Sequence, residues 1–221
     1  MPHFVYHSEE NYLKTLFSLS NREIKKVNNV ALAKAMGLNP ATVLEMIRKL
    51  AARNLVEIRA DKSLFLTDKG KKKALLTIRK HRLWEVFLVE KLQYKWNEVH
   101  ELAEQLEHVE SSDMIDRLES YLGYPAFDPH GDPIPDKSGR IKMNVSIPLS
   151  TCQKGKNYYV VNLAETNDDF LAYLSKLGIG PGTKLKISDQ HAYDLSCTVQ
   201  VNKKPVQLSE KVARNILVKP A

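Results

Sequence analysis

Six residues in two short stretches have the types and spacing to hold a divalent cation: His81 and Glu85 stand four apart, and His100, Glu104, Glu107 and His108 follow at i, i+4, i+7 and i+8. On helices those intervals return to nearly one azimuth, because 3.6 residues complete a turn. Mixed imidazole and carboxylate donors suit Mn2+ and Fe2+, and in vitro Zn2+, Co2+ or Ni2+. Without an ion, such a face sets like charges three and four apart, at a cost of about 0.2–0.5 kcal/mol per pair. The spacing describes a solvated acidic helix face equally well. Cys152 and Cys197 form no CxxC pair and read as reduced, structural thiols.

The elements that must position these donors are helical. Leu75, Leu76, Ile78, Leu83, Val86, Phe87 and Leu88 make apolar stripes on a helix over 72–91 that carries His81 and Glu85. A second helix is expected over 96–109 and a third over 112–122, opened by Ser111-Ser112-Asp113. Together their apolar faces exceed what one small neighbouring domain can cover, which makes a homodimer the natural sink for that surface.

Upstream, Tyr12, Leu13, Leu16, Phe17 and Leu19 mark an amphipathic helix over 9–20, with Ser8 available as its cap. A short helix over 30–36 ends at Gly37, Asn39 can cap the next, Pro40 suits its first position, and periodicity continues over 42–54. This is a helix-turn-helix, and the strand-like runs 55–59 and 63–67 add a hairpin, giving a winged helix. The charge agrees. Residues 1–75 hold 14 Lys+Arg against 7 Asp+Glu, leaving 19 of each in the rest, so the whole net charge of +7 sits in the first third. Local positive excess is the footprint of a nucleic-acid reader. The second helix of such a unit enters the major groove, which nominates Asn39, Pro40, Ala41, Thr42, Glu45, Arg48 and Lys49, with Lys62 and Ser63 at the wing tip.

Residues 123–148 are dense in Gly and Pro and read as a linker. Strand-like runs at 158–163, 184–188, 196–201 and 216–218 and a helix over 168–177 then spell a small β-barrel-like domain. The fold class is α+β. The start lacks a secretory signal and no stretch has about 18 apolar residues, so the chain reads as soluble, cytoplasmic and without a membrane partner. HExxH, GxSxG and Walker motifs are absent, which argues against an enzyme. A metal-dependent hydrolase and a winged helix indifferent to metal are the competing readings.

The runs RKHRLWEVFLVEKL, WNEVHELAEQLEHV, SDMIDRLESYLGYP and DPHGDPIP resemble the diphtheria-toxin-repressor family of iron- and manganese-dependent transcriptional regulators. The resemblance implies a winged-helix DNA-binding domain over 1–73, a helical dimerisation and metal-binding domain over 74–124, a Pro-rich linker over 125–147 and an SH3-like, FeoA-like domain over 148–221. It implies a homodimeric repressor of metal-homeostasis genes, with Mn2+ or Fe2+ as corepressor and palindromic double-stranded operator DNA as partner. By motif, a primary site falls on Asn11, Glu104, Glu107 and His108, and an ancillary site on His81, Glu85 and His100. Glu165, Asp168 and Asp169 are the SH3-like domain's candidate ligands to the ancillary site. The chain departs from the pattern in two places. Glu104 stands where the iron branch has a cysteine, and Asn11 and Lys14 stand where the manganese branch often has acidic ligands.

Overall fold

The structure is a computed structural model that describes residues 9–21, 26–142 and 145–221 of the chain. Ser8, the expected cap of the first helix, lies outside them. The chain divides into two compact units: Met1–His81 with Ala103–Ile115 and Pro135–Ile141, and Arg82–Leu102 with Asp116–Ile134 and Lys142–Ala221.

In the first unit, helices α1 (Glu9–Asn21), α2 (Asn29–Met36) and α3 (Pro40–Ala52) precede strands β1 (Val56–Ile58) and β2 (Leu64–Leu66), then the start of α4 (Asp68–Glu90). Each boundary has a local cause. The side chain of Asn28 accepts from Ala31 N at 2.9 Å to start α2. Gly37 stops that helix at φ 65°, a left-handed conformation that disfavours residues with a Cβ. Asn39 accepts from Ala41 N at 2.8 Å and Pro40 opens α3, as the sequence implies. β1 and β2 pair antiparallel with Glu57 opposite Phe65 and form the wing. Tyr12, Leu13, Leu16, Leu32, Val43, Ile47 and Leu50 are buried in one core, so the apolar stripes of three helices face inward together.

The second unit contains a six-stranded antiparallel sheet in the order β3-β8-β4-β5-β6-β7. The strands are β3 (Ile147–Pro148), β4 (Asn157–Leu163), β5 (Lys184–Gln190), β6 (Cys197–Val201), β7 (Lys204–Leu208) and β8 (Ile216–Pro220). Register shifts at Val160/Asn162 and Ile187/Asp189 are bulges, which bend a sheet around its contents. Leu171 and Leu174 of α7 (Asp168–Leu177) join Leu185, Ile187, Val199 and both cysteines in that core. Strand β7 and helix α8 (Glu210–Asn215) were not expected from the sequence. Pro205 weakens the strand pattern and is tolerated because β7 is an edge. The turn before it uses Asn202 and Lys203 at φ 49° and 68°, a primed hairpin turn without the usual glycine.

Two sequence expectations need correction. The helix expected over 96–109 is α5, His100–Leu106, and Glu107 and His108 lie in the turn beyond it. The 125–147 stretch is not featureless linker: residues 126–134 close a tight turn, with Asp128 N bonded to Asp132 O at 2.9 Å and Ile134 N to Ala126 O at 3.0 Å. Helix α6 is Ser112–Tyr121, with Ser111 Oγ accepting from Met114 N at 3.2 Å. Among the described residues no single helix is long and apolar enough to cross a membrane.

Candidate metal centres and nucleic-acid interface

In the first unit, the carboxylates expected to form the primary site already hold a cation. Lys14 Nζ lies 2.5 Å from Glu104 Oε1 and 2.8 Å from both oxygens of Glu107. The Glu107 side chain is fully buried, and its Oε2 also accepts from His81 Nδ1 at 2.6 Å. Burial pushes its pKa up, but the His81 hydrogen bond and the Lys14 charge outweigh it and hold the carboxyl below its ordinary value. His108 Nδ1 donates to Glu10 Oε2 at 2.8 Å, and Glu10 also takes Lys80 Nζ at 3.2 Å. Glu10 is likewise pulled below its ordinary value: burial opposes the shift, and His108 and Lys80 prevail. Asn11 is buried on α1.

Of the expected primary set of Asn11, Glu104, Glu107 and His108, the two glutamates are brought together around Lys14. A divalent ion does not fit between Glu104 and Glu107 while the Lys14 ammonium sits there, because both cations would need the same oxygens. Glu107 and His108 were placed on one helix face by spacing, but they reach their partners from the turn after α5. His81, assigned to the ancillary set, spends its Nδ1 on Glu107.

The second unit brings together a donor set that the spacing of His and Glu did not reveal. Glu85 on α4 meets Asp128 and His130 of the 126–134 turn, and one donor atom of each lies within 4.8 Å of the others. All three residues are buried, at 2%, 7% and 3% exposure. His130 Nε2 donates to the Trp96 carbonyl at 2.8 Å, which leaves Nδ1 facing Glu85 Oε2 at 3.7 Å and Asp128 Oδ1 at 3.9 Å. Those separations are too long for hydrogen bonds, and the three donors would draw together by a few tenths of an ångström or more around an ion with bonds of about 2.1 Å. An imidazole whose second nitrogen is anchored on a backbone carbonyl is the usual arrangement of a metal-ligating histidine.

The electrostatics point the same way. Asp128 is pushed up to about 7 by burial and by the charges of Glu85 and Asp132, against Arg82 and His130. For His130, burial opposes protonation, but the Glu85 and Asp128 carboxylates outweigh it and raise the imidazole to about 9. Arg82 is the neighbouring counter-charge, with Nε 3.4 Å from Asp128 Oδ2 and Nη2 3.2 Å from Asp132 Oδ2. The neighbouring carboxylates Glu85 and Asp132 disfavour a charged Asp128, so a cation placed among them is favoured. The donors present fit a hard divalent cation. Gly131 makes the turn possible: its φ is 89°, and a Cβ there would lie 2.0 Å from Val161 O. Asp132 Oδ1 then accepts from Asn162 Nδ2 of β4 at 2.9 Å.

Of the remaining expected ancillary ligands, His100 is half exposed with Nδ1 3.5 Å from Glu85 Oε1, beside this set. Glu165, Asp168 and Asp169 do not join it among the described residues. The Glu165 carboxylate accepts from Asn167 and, at 3.4 Å, from Asn215, while Asp168 and Asp169 lie exposed in the first turn of α7. Asp128 and His130 were missed because proline and glycine around them read as turn chemistry. The signal that could have found them is the DPHGD run itself, which places a carboxylate and an imidazole in one tight turn.

On the reading head, Asn39, Pro40, Ala41, Thr42, Glu45, Arg48 and Lys49 are all exposed along α3, opposite its buried Val43, Ile47 and Leu50. Lys49 Nζ pairs with Glu45 at 2.8 Å on the surface. Lys62 is exposed at the wing tip with φ 63°. Ser63 is buried, and its hydroxyl donates to Asp61 Oδ1 at 2.5 Å rather than outward from the wing tip.

Residues 5–64 match the N-terminal DNA-binding domain of iron-dependent repressors, 67–136 their metal-binding and dimerisation domain, and 147–220 the FeoA domain. The chain is similar to a solved manganese-dependent transcriptional repressor in complex with manganese, at 33% identity and a TM-score of 0.85 over 97% of this chain and 100% of that one. It is 26% identical to the diphtheria toxin repressor of Corynebacterium diphtheriae over 95% of each chain. It is 34% identical to the iron-dependent repressor IdeR of Mycobacterium tuberculosis over 126 residues, which is 57% of this chain and about half, 54%, of that relative. The chain belongs to the diphtheria-toxin-repressor family of iron- and manganese-dependent transcriptional regulators.

Proposed function

We propose that this chain is a cytoplasmic, homodimeric DNA-binding repressor of metal-homeostasis genes, and that it reads Mn2+ or Fe2+ through Glu85, Asp128 and His130. The observation that carries the reading is this buried donor set in a chain whose other unit is a winged helix. Two oxygens and one imidazole nitrogen favour Mn2+ or Fe2+ over ions that prefer thiolates. A bound ion would take the place of the His130 Nδ1 proton as the positive charge facing the two buried carboxylates.

The protein's own groups do the rest. The Trp96 carbonyl fixes the His130 tautomer, and Arg82 holds Asp128 and the 126–134 turn, donating from Nη1 to Pro133 O at 2.5 Å. Metal acts as corepressor by binding more tightly to the DNA-competent arrangement, and DNA must then tighten metal binding by the same factor. Thr42 and Glu45 are the candidates for base edges, Ala41 for a thymine methyl, and Arg48, Lys49 and Lys62 for phosphates. Dimerisation uses the aromatic face of α4 and α6, where Phe87 and Tyr121 lie 6.4 Å apart and Tyr121 is exposed. A two-fold dimer of reading heads matches a palindromic operator. The domain boundaries that go with this reading are 1–73, 74–124, 125–147 and 148–221.

The test is a fluorescence anisotropy titration on a duplex selected from a random library with Mn2+ present. Binding that falls at least tenfold with chelator supports the reading. Binding indifferent to metal would make the chain a plain winged helix.

A further inference from the structure

We propose that Lys14 is a tethered cation that takes the place of a divalent ion between Glu104 and Glu107. It closes this part of the chain by a covalently attached charge and keeps metal out of it. The proposal rests on reading the chain as a metal-responsive repressor only for its biological meaning; its physical content stands alone.

The geometry is that of an occupied cation site. The ammonium is equidistant, at 2.8 Å, from the two oxygens of Glu107 and 2.5 Å from Glu104 Oε1. An ammonium has three N–H donors and no acceptor, so three carboxylate oxygens saturate it. The site is sheltered: the Lys14 side chain is 17% exposed, Glu104 18% and Glu107 0%. His81 and His108 each commit Nδ1 to a carboxylate, His81 to Glu107 and His108 to Glu10, which is itself paired with Lys80. Asn11, one turn before Lys14 on α1, adds no charge of its own. A divalent ion entering here must expel a cation that the chain cannot release into solution. In low-dielectric surroundings the repulsion between the two is severe.

The consequence is functional. Lys14 ties α1, which contributes to the winged-helix core, to the Glu104–Glu107 segment whether or not metal is present. The contact that an ion between Glu104 and Glu107 would otherwise have to make is already made.

The experiment counts Mn2+ on the chelator-stripped full chain by the electron paramagnetic resonance signal of free Mn2+. The variants are Lys14→Glu, Lys14→Arg, Glu104→Gln and His130→Ala, together with the Lys14→Glu/His130→Ala pair. The expected result is that Lys14→Glu binds one ion more per chain than the wild type and keeps that ion when His130 is also replaced, while Lys14→Arg binds no more than the wild type. Amide exchange on α1 should be unchanged by Mn2+ in the wild type and slowed at least tenfold by Mn2+ in Lys14→Glu. A wild type that binds none, with Lys14→Glu binding one, supports the tethered cation while removing the Glu85–Asp128–His130 site. A wild-type ion lost on Glu104→Gln and retained on His130→Ala overturns the proposal. So does a Lys14→Glu chain with wild-type circular dichroism and no added ion.

Discussion

The Nε2–H of His130 is fixed on the carbonyl of Trp96 at 2.8 Å, and this one bond decides which nitrogen faces the buried carboxylates. Trp96 is held in turn by its indole N–H, which donates to Ser175 Oγ at 2.5 Å. The imidazole therefore meets Glu85 and Asp128 with Nδ1, in the orientation a ligand requires.

Replacing His130 with alanine should lower Mn2+ affinity by about two orders of magnitude or more and remove metal-stimulated DNA binding, with the winged helix still folded. Calorimetric titration with Mn2+ and circular dichroism check both halves. The milder Trp96→Phe, which keeps the carbonyl but loses the indole donor, should weaken Mn2+ binding by about 10-fold to 100-fold, the usual range for a supporting partner.

The protonation of this site sets a direction for pH. His130 is raised from 6.5 to about 9 and Asp128 from 3.8 to about 7. A group whose folded pKa is raised contributes stability that is complete below its unfolded pKa and lost as pH rises through the folded one. The chelator-treated protein should therefore melt lower at pH 9 than at pH 6. Because the ion displaces these protons, the rise in melting temperature on adding Mn2+ should be larger at pH 9. Differential scanning fluorimetry across that range measures both.

Gly131→Ala should damage the centre without touching a ligand. The residue sits at φ 89°, and an added Cβ would collide with Val161 O, so the turn carrying Asp128 and His130 must shift. A loss of about 2 kcal/mol or more in denaturant unfolding, together with weakened Mn2+ binding, is expected.

Glu107→Ala is expected to destabilise the fold by about 3–5 kcal/mol, because it strips Lys14 and His81 of a buried acceptor. The loss should be the same with chelator as with Mn2+. Urea melts under the two conditions make the comparison.

On DNA, Arg48→Ala should weaken binding across all sequences and reduce the slope of log affinity against log salt by about one, since the side chain is exposed on α3 where it can meet phosphate. Thr42→Ala or Glu45→Ala should instead relax the preference at one base pair. A salt series on matched and single-mismatch duplexes separates the two behaviours.

Much of the fold is legible in the sequence because its signals are local. Asn39-Pro40 opens α3, Gly37 ends α2, and the apolar period of α1 and α7 matches their buried faces. The site is less legible. Spacing brought His81, Glu104, Glu107 and His108 to notice, but side-chain spacing says nothing of a lysine arriving from a helix 90 residues earlier in the chain. Asp128 and His130 were hidden because Pro129 and Gly131 on either side are read as turn formers, and the same turn is what aims the two ligands. Periodicity counts helix faces, and two of the three ligands of this centre are not on a helix.

The central claim is tested most directly by measuring operator affinity with and without Mn2+ for the wild type beside Glu85→Gln and His130→Ala. The account predicts that Mn2+ tightens wild-type binding at least tenfold, and that both variants bind with the metal-free wild-type affinity at any Mn2+ concentration. Variants that still respond to Mn2+ as the wild type does would contradict it.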